Sequence, residues 1–280
     1  MLTHTGGAVL LAALLHAGWN AMLHGNRDRF LSMTWMSVAI AAVATGVLPF
    51  VPTPAATAWP YILASGLLHV VYNLSLVRSY RRGDLTLAYP IARGSSPLLV
   101  TLGAALFAGE SIRVAQFAGI AMISGGIIAL ALQGKRPGRA GLEAALTTGA
   151  LIALYTVIDG IGVRAAEGQA LAYTAWMFLF YWLMPILYVV MCGWQALWTP
   201  VRQSPAAVAS SLAGGCVSLA AYGIVIWALQ AGAMGAVSAL RETSVVFAVL
   251  IGRLVLHETV TPGRWFACLV VTAGAVCLGL

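Results

Sequence analysis

Long apolar runs separated by short polar breaks organise this chain from end to end. Ten runs approach or exceed the ~20 residues that an α-helix needs to cross a bilayer. They lie at about 5–24, 31–51, 57–80, 85–108, 113–133, 142–165, 170–193, 206–231, 233–256 and 262–280, with ends good to a few residues. A backbone inside lipid must satisfy its own hydrogen bonds, which runs of this length do as helices. The pattern predicts an all-α polytopic membrane protein with ten transmembrane helices, and the connections are too short for an extramembrane domain.

Composition agrees: 61% of the 280 residues are hydrophobic and 8% are charged, against roughly 25% charged in a soluble domain. The net charge of +7 would suit a nucleic-acid binder, but its distribution points elsewhere. Arg27, Arg29, Arg78, Arg81, Arg82, Lys135, Arg136, Arg139, Arg202, Arg253 and Arg264 lie in or beside connections 1–2, 3–4, 5–6, 7–8 and 9–10. Only Arg113 and Arg164 fall on the opposite side. This bias is a positive-inside signal, which predicts an inner (plasma) membrane protein with both termini outside and no polynucleotide surface. The first run lacks the basic flank and cleavage site of a signal peptide. Cys192, Cys216, Cys268 and Cys277 form no CxxC pair and read as packing residues.

A repeat lies inside the chain. Shifted by 148 residues, AYPIARGSSPLLVTLGAALFAGE falls on AVSALRETSVVFAVLIGRLVLHE, so that Arg93 meets Arg241, Ser96 meets Ser244 and Glu110 meets Glu258. In so apolar a chain, the coincidence of rare charges carries this alignment. TWM at 34–36 resembles AWM at 175–177, and the pair His16 and Asn20 has counterparts in Tyr155 and Asp159. The halves are 1–133 and 142–280, joined by a basic linker at 134–141. With five helices each, an odd number, they enter the bilayer in opposite senses. Such inverted repeats are common in secondary transporters, whose substrate site lies near the midplane between the halves.

HAGWNAM in the first helix, RSYRRGDLTLAYPIARGSSPLL across the third and fourth, and the GE that ends the fourth resemble the drug/metabolite transporter superfamily, EamA branch. The resemblance covers the whole chain, one EamA unit per half. It implies a ten-helix transporter with a central cavity for amino acids, their derivatives, nucleobases or other small metabolites. The HxxWN and YPxxRG patterns also resemble members linked to phosphonate use. Tyr89 of that second pattern joins the substrate-binding candidates.

The embedded ionisable residues are the other candidates. An arginine at the bilayer centre costs about 2.5–3.5 kcal/mol on insertion scales and therefore faces a cavity or a partner. Arg93 and Arg241 should approach one another near the pseudo-two-fold axis, where their guanidinium forks match carboxylate or phosphate oxygens. The competing reading is structural: Glu242 neutralises one arginine, and carbonyls freed by Pro90 and Pro97 cap the other. Asp159 and Glu242 are candidates for proton coupling or for a substrate ammonium, and equally for counter-ions. His16 with Asn20, and His69 with Asn73, share i, i+4 spacing and line a cavity or bond between helices. Trp35 and Trp176 recur in both repeats and are candidates for an apolar cavity wall.

The expected activity is secondary active transport, by alternating access, of a small zwitterionic or anionic metabolite, such as an amino acid, a derivative or a phosphonate or phosphate compound. The alternatives are a lipid-carrier flippase and, less favoured because two central arginines repel cations, a multidrug exporter. No GxSxG, HExxH or phosphate-binding glycine loop supports an enzyme, and the histidines are too scattered for zinc. The expectation is no cofactor, a small-molecule substrate, proton coupling, a lipid bilayer around the chain, and room for a homodimer.

Overall fold

A computed structural model describes residues 2–23, 28–82, 85–133, 138–255, 257 and 259–279. The side chains of 2–3, 78–82, 85–89, 139–140 and 279 are not among those described. The described residues are helical, with no strand. The helices are α1 (Leu2–Met22), α2 (Arg29–Val47), α3 (Trp59–Arg82), α4 (Leu85–Phe107), α5 (Val114–Leu132), α6 (Arg139–Ala165), α7 (Ala170–Phe178), α8 (Leu183–Cys192), α9 (Trp194–Gln203), α10 (Pro205–Ala231), α11 (Met234–Glu242), α12 (Ser244–Leu254) and α13 (Pro262–Gly279). Seven helical stretches within this set are long and apolar enough to cross a membrane. Large apolar side chains such as Leu102, Phe107, Val190 and Leu269 point outward, the arrangement of a protein solvated by lipid.

Local chemistry sets the ends and the breaks. Asp28 caps α2 by accepting the Leu31 N–H at 3.0 Å. Pro205 opens α10, where a missing N–H costs nothing. The seventh apolar run is not one uninterrupted α-helix: between α7 and α8 the chain tightens into a 3-10 turn over Leu179–Trp182. Pro185, in the first turn of α8, cannot donate back to Tyr181, which accounts for the tightening there. The ninth run is likewise divided, at Thr243 between α11 and α12, immediately after Arg241 and Glu242.

The connection between the seventh and eighth runs holds a helix that the apolar pattern does not show. In α9 (WQALWTPVRQ), Leu197 is buried while Trp194, Trp198 and Arg202 are exposed. This two-faced helix suits a membrane–water boundary. Trp198 meets Trp35 edge-on at 5.7 Å, tying α9 to α2.

The packing is reciprocal. α4 lies on α6, and α1 on α11 and α12; α3 lies on α6, and α10 on α1; α5 and α13 pack on each other. Close crossings depend on glycine. A Cβ on Gly119 would stand 2.8 Å from the Gly274 carbonyl oxygen, and one on Gly274 would stand 2.8 Å from that of Gly119. In each glycine pair one member makes the crossing. Gly126 meets Val271, and Gly215 lies against α2, where a Cβ would be 2.5 Å from the Met36 carbonyl oxygen. Gly125 faces open space, and a Cβ on Gly214 would make ordinary contact with Leu23 at 3.8 Å. Gly215→Val is therefore expected to destabilise the fold by about 1–3 kcal/mol, the usual cost of overpacking. Gly125→Val, at an open position, should unfold at the wild-type temperature in detergent; equal losses for the two variants would refute this assignment of the crossing.

Candidate functional site

The broken helix α11–α12 and the proline-bearing helix α4 bring the two repeat-related arginines together. Pro97 has no N–H to offer the Arg93 carbonyl, and the Ser96 hydroxyl donates to that oxygen instead, at 3.2 Å. The guanidinium of Arg93 crosses to the other half of the chain. Its Nε pairs with Glu242 Oε2, and its Nη2 donates to Ser244 Oγ at 3.2 Å. Arg241 reaches the other oxygen of the same carboxylate, through Nη2 at 3.2 Å and Nε at 3.3 Å. Glu242 is thus shared by both arginines, whereas the sequence pattern allots it to one. Arg93, Arg241 and Glu242 are 5%, 3% and 1% exposed, so these charges lie away from solvent, where bulk screening is weak. Two guanidiniums and one carboxylate leave an excess of one positive charge.

Beside this triad is a cavity of about 110 Å³. Arg93 and Arg241 form part of its wall, as do His16, Asn20, His69, Asn73 and Tyr155. The two i, i+4 pairs therefore face one space. The Asn20 side chain donates to the His16 carbonyl at 2.8 Å, and the His69 ring is held by the Ser65 carbonyl at 2.9 Å. The cavity runs from the middle of the helices towards the end that carries connection 1–2, where Leu23, Arg29 and Leu76 line it.

Four candidates do not line this cavity. Asp159 is fully buried behind it, accepting from Tyr173 OH at 2.9 Å and from Tyr222 OH at 2.6 Å. Tyr222 does line the cavity, so a single phenol separates Asp159 from it. Glu242 stands behind its arginines. Trp35 and Trp176 belong to apolar packing instead: Trp35 meets Trp198, and Trp176 meets Trp59 at 5.0 Å. Their recurrence in both halves reflects tryptophan pairs that join neighbouring helices. Tyr89 lies in α4 with its side chain outside the described set, and Glu258 is also outside the described residues.

The structure adds wall residues that the sequence pattern did not single out. Arg29, counted above only towards topology, donates to the Leu23 carbonyl at 2.9 Å and stands at the cavity's outer end. Tyr181 and Tyr222 come from apolar runs in which a tyrosine reads as packing. They meet His69 and Tyr155 in a cluster of rings, the His69 and Tyr155 centroids 4.2 Å apart and those of Tyr155 and Tyr222 6.1 Å apart.

At the opposite end the helices are tied shut. Arg164, at the end of α6, donates to Glu110 Oε1 at 2.6 Å, to the Gly232 carbonyl at 2.8 Å and to the Leu229 carbonyl at 3.1 Å. Glu110 Oε2 accepts the Met234 N–H at 3.0 Å. One ion pair thereby fastens the end of α6, the 4–5 connection, the end of α10 and the start of α11. Between this latch and the cavity, Val9, Ile40, Ile62, Tyr173 and Met177 form part of a packed apolar core.

A helical membrane chain with a charged cavity among its helices is built as transporters are. Residues 139–280 match the model of the EamA-like transporter family, and the chain belongs to that family. It is a multi-pass membrane protein. Among solved structures 29 chains match. One, a crystal structure of a protein, superposes with a TM-score of 0.75 over 99% of this chain and 95% of its own, at 20% identity, a likeness of fold. No curated protein matches.

If Glu242 is the shared counter-charge, Glu242→Gln leaves two buried guanidiniums without it. The expected loss of stability is about 3–5 kcal/mol, the cost of breaking a buried ion pair. Glu110→Gln, at a partly exposed pair, should lose much less in the same thermal unfolding in detergent. Wild-type stability in Glu242→Gln would show that the carboxylate does not hold the arginines.

Proposed function

We propose that the chain is a secondary active transporter that moves a small anionic or zwitterionic metabolite by alternating access. The carrying observation is that the two arginines aligned by the internal sequence repeat line one cavity and share one carboxylate. The excess positive charge and the guanidinium forks suit a carboxylate, phosphate or phosphonate head. Ten crossings in two inverted five-helix repeats account for the reciprocal packing of α4 on α6 and of α1 on α11 and α12. The family model matches the second repeat, and the internal alignment extends this reading to the first.

The bias of basic residues sets connection 1–2 in the cytoplasm, in an inner membrane. On that orientation the cavity faces inward, and the Glu110–Arg164 latch closes the outside. Asp159 carries the coupling proton, exchanging it with the cavity through Tyr222, while Glu242 serves as counter-ion. A lipid flippase is the weaker reading. Among the described residues, the groove between α1, α2, α7 and α10 is lined by residues such as Val43, Val47, Leu171 and Trp227 and by no cation.

The test is a ligand pair on folded protein: the best-binding acid from a thermal-shift screen of carboxylates, phosphates and amino acids, and its analogue without the acidic group. Arg93→Ala should weaken the acid by about 2–5 kcal/mol, as loss of a buried charged partner does, and leave the analogue unchanged. Arg93→Lys should restore part of the loss, because a point charge lacks the fork. Equal losses for both ligands would overturn the anion site.

A further inference from the structure

Besides the arginines, much of the cavity wall is aromatic. His69, Tyr72, Tyr155, Phe178, Tyr181 and Tyr222 all line it. Their rings are tilted rather than stacked flat. His69 and Tyr222 meet at 73° with centroids 5.1 Å apart, Tyr72 and Tyr155 at 67° and 5.5 Å, and Phe178 and Tyr222 at 69° and 5.9 Å. A ring whose face opens on the cavity attracts a cation lying within ~6 Å of its centre. Negative charge backs this wall. Tyr222 donates its hydroxyl to Asp159 at 2.6 Å, which places more electron density on its ring. The cavity wall therefore carries both the arginines of the triad and a cluster of rings with Asp159 behind it.

The kind of cation follows from the acceptors. Asp159 is fully buried and its two oxygens already accept from Tyr173 and Tyr222. Both oxygens of Glu242 are taken by guanidiniums. Neither carboxylate lines the cavity to receive an ammonium N–H, whereas a methylated ammonium has none to satisfy and bonds to ring faces.

We propose that the aromatic wall is a subsite for a methylated ammonium group, and that the substrate class is a small betaine-type zwitterion whose acidic end lies on Arg93 and Arg241. The inference deepens the anion-site reading above and rests on it.

Two pairs of probes separate the two ideas by calorimetry on the purified full chain. Glycine betaine is compared with 3,3-dimethylbutanoate, and γ-butyrobetaine with 5,5-dimethylhexanoate. Within each pair the shape and carboxylate are the same, and a carbon replaces the ammonium nitrogen. In at least one pair the betaine should bind about tenfold more tightly, the scale of a desolvated cation–π contact. Tyr155→Leu should erase that preference and Tyr155→Phe, which keeps the ring, should retain it. Equal affinity within both pairs would overturn the ammonium subsite while leaving the anion site standing. A preference that survives Tyr155→Leu would overturn the role of the wall. Failure of all four probes to bind would overturn the betaine assignment, while the anion site is tested by Arg93→Ala as above.

Discussion

One carboxylate holding two arginines is the interaction on which this structure turns. Far from water, the guanidiniums of Arg93 and Arg241 cannot stay close together without an opposite charge between them. Glu242 supplies it, and does so across the two halves of the chain, because Arg93 comes from α4 and Glu242 from α11. The helix break at Thr243 and the proline at 97 are local costs that follow from this arrangement: both loosen the backbone where the arginine side chains converge. Ser96 and Ser244, equivalent in the repeat, then serve the Arg93 carbonyl and guanidinium respectively.

From that triad the rest of the cavity gains its polarity. Helices α1 and α3 contribute their histidine and asparagine pairs, and α6, α7 and α10 contribute rings, so the wall combines cationic and aromatic groups in a narrow space. Asp159 stands one phenol behind the aromatic side. The latch of Arg164 and Glu110 closes the far end through charge-assisted bonds between four segments, partly exposed and so weaker than the triad. On the proposed alternating-access reading, a buried, strong pair at the middle and a wetter, weaker pair at one end would suit opening at the ends with the centre kept joined.

Much of the fold is legible in the sequence because hydrocarbon permits few solutions. The apolar runs lie close to the helical stretches, and rare charges within them mark the residues that converge in the interior. Arg93, Arg241, Asp159 and Glu242 stand out for that reason. Their division of labour does not, since Glu242 is adjacent to Arg241 in sequence yet equally engaged with Arg93 in space. Trp35 and Trp176 recur in both halves, but recurrence also preserves packing partners, here Trp198 and Trp59. Tyr181 and Tyr222 carry no signal, because a tyrosine on an apolar helix serves packing or a cavity with the same spacing. Arg29 is hidden among topology-setting cations. The ten-residue α9 falls below the length that an apolar window detects; only its two-faced pattern of tryptophan, glutamine and arginine marks it.

Accessibility of the cavity from each face tests the account most directly. Cys192, Cys216, Cys268 and Cys277 are replaced by alanine and Ser218, a cavity residue, becomes the single thiol as Ser218→Cys. A membrane-impermeant maleimide is then applied to right-side-out and to inverted vesicles. Labelling should occur in inverted vesicles alone, and adding Arg164→Ala should admit the reagent from the outside as well. Labelling of the parent from the outside, or an outer face that stays closed without Arg164, would contradict an inward-facing cavity sealed by the latch.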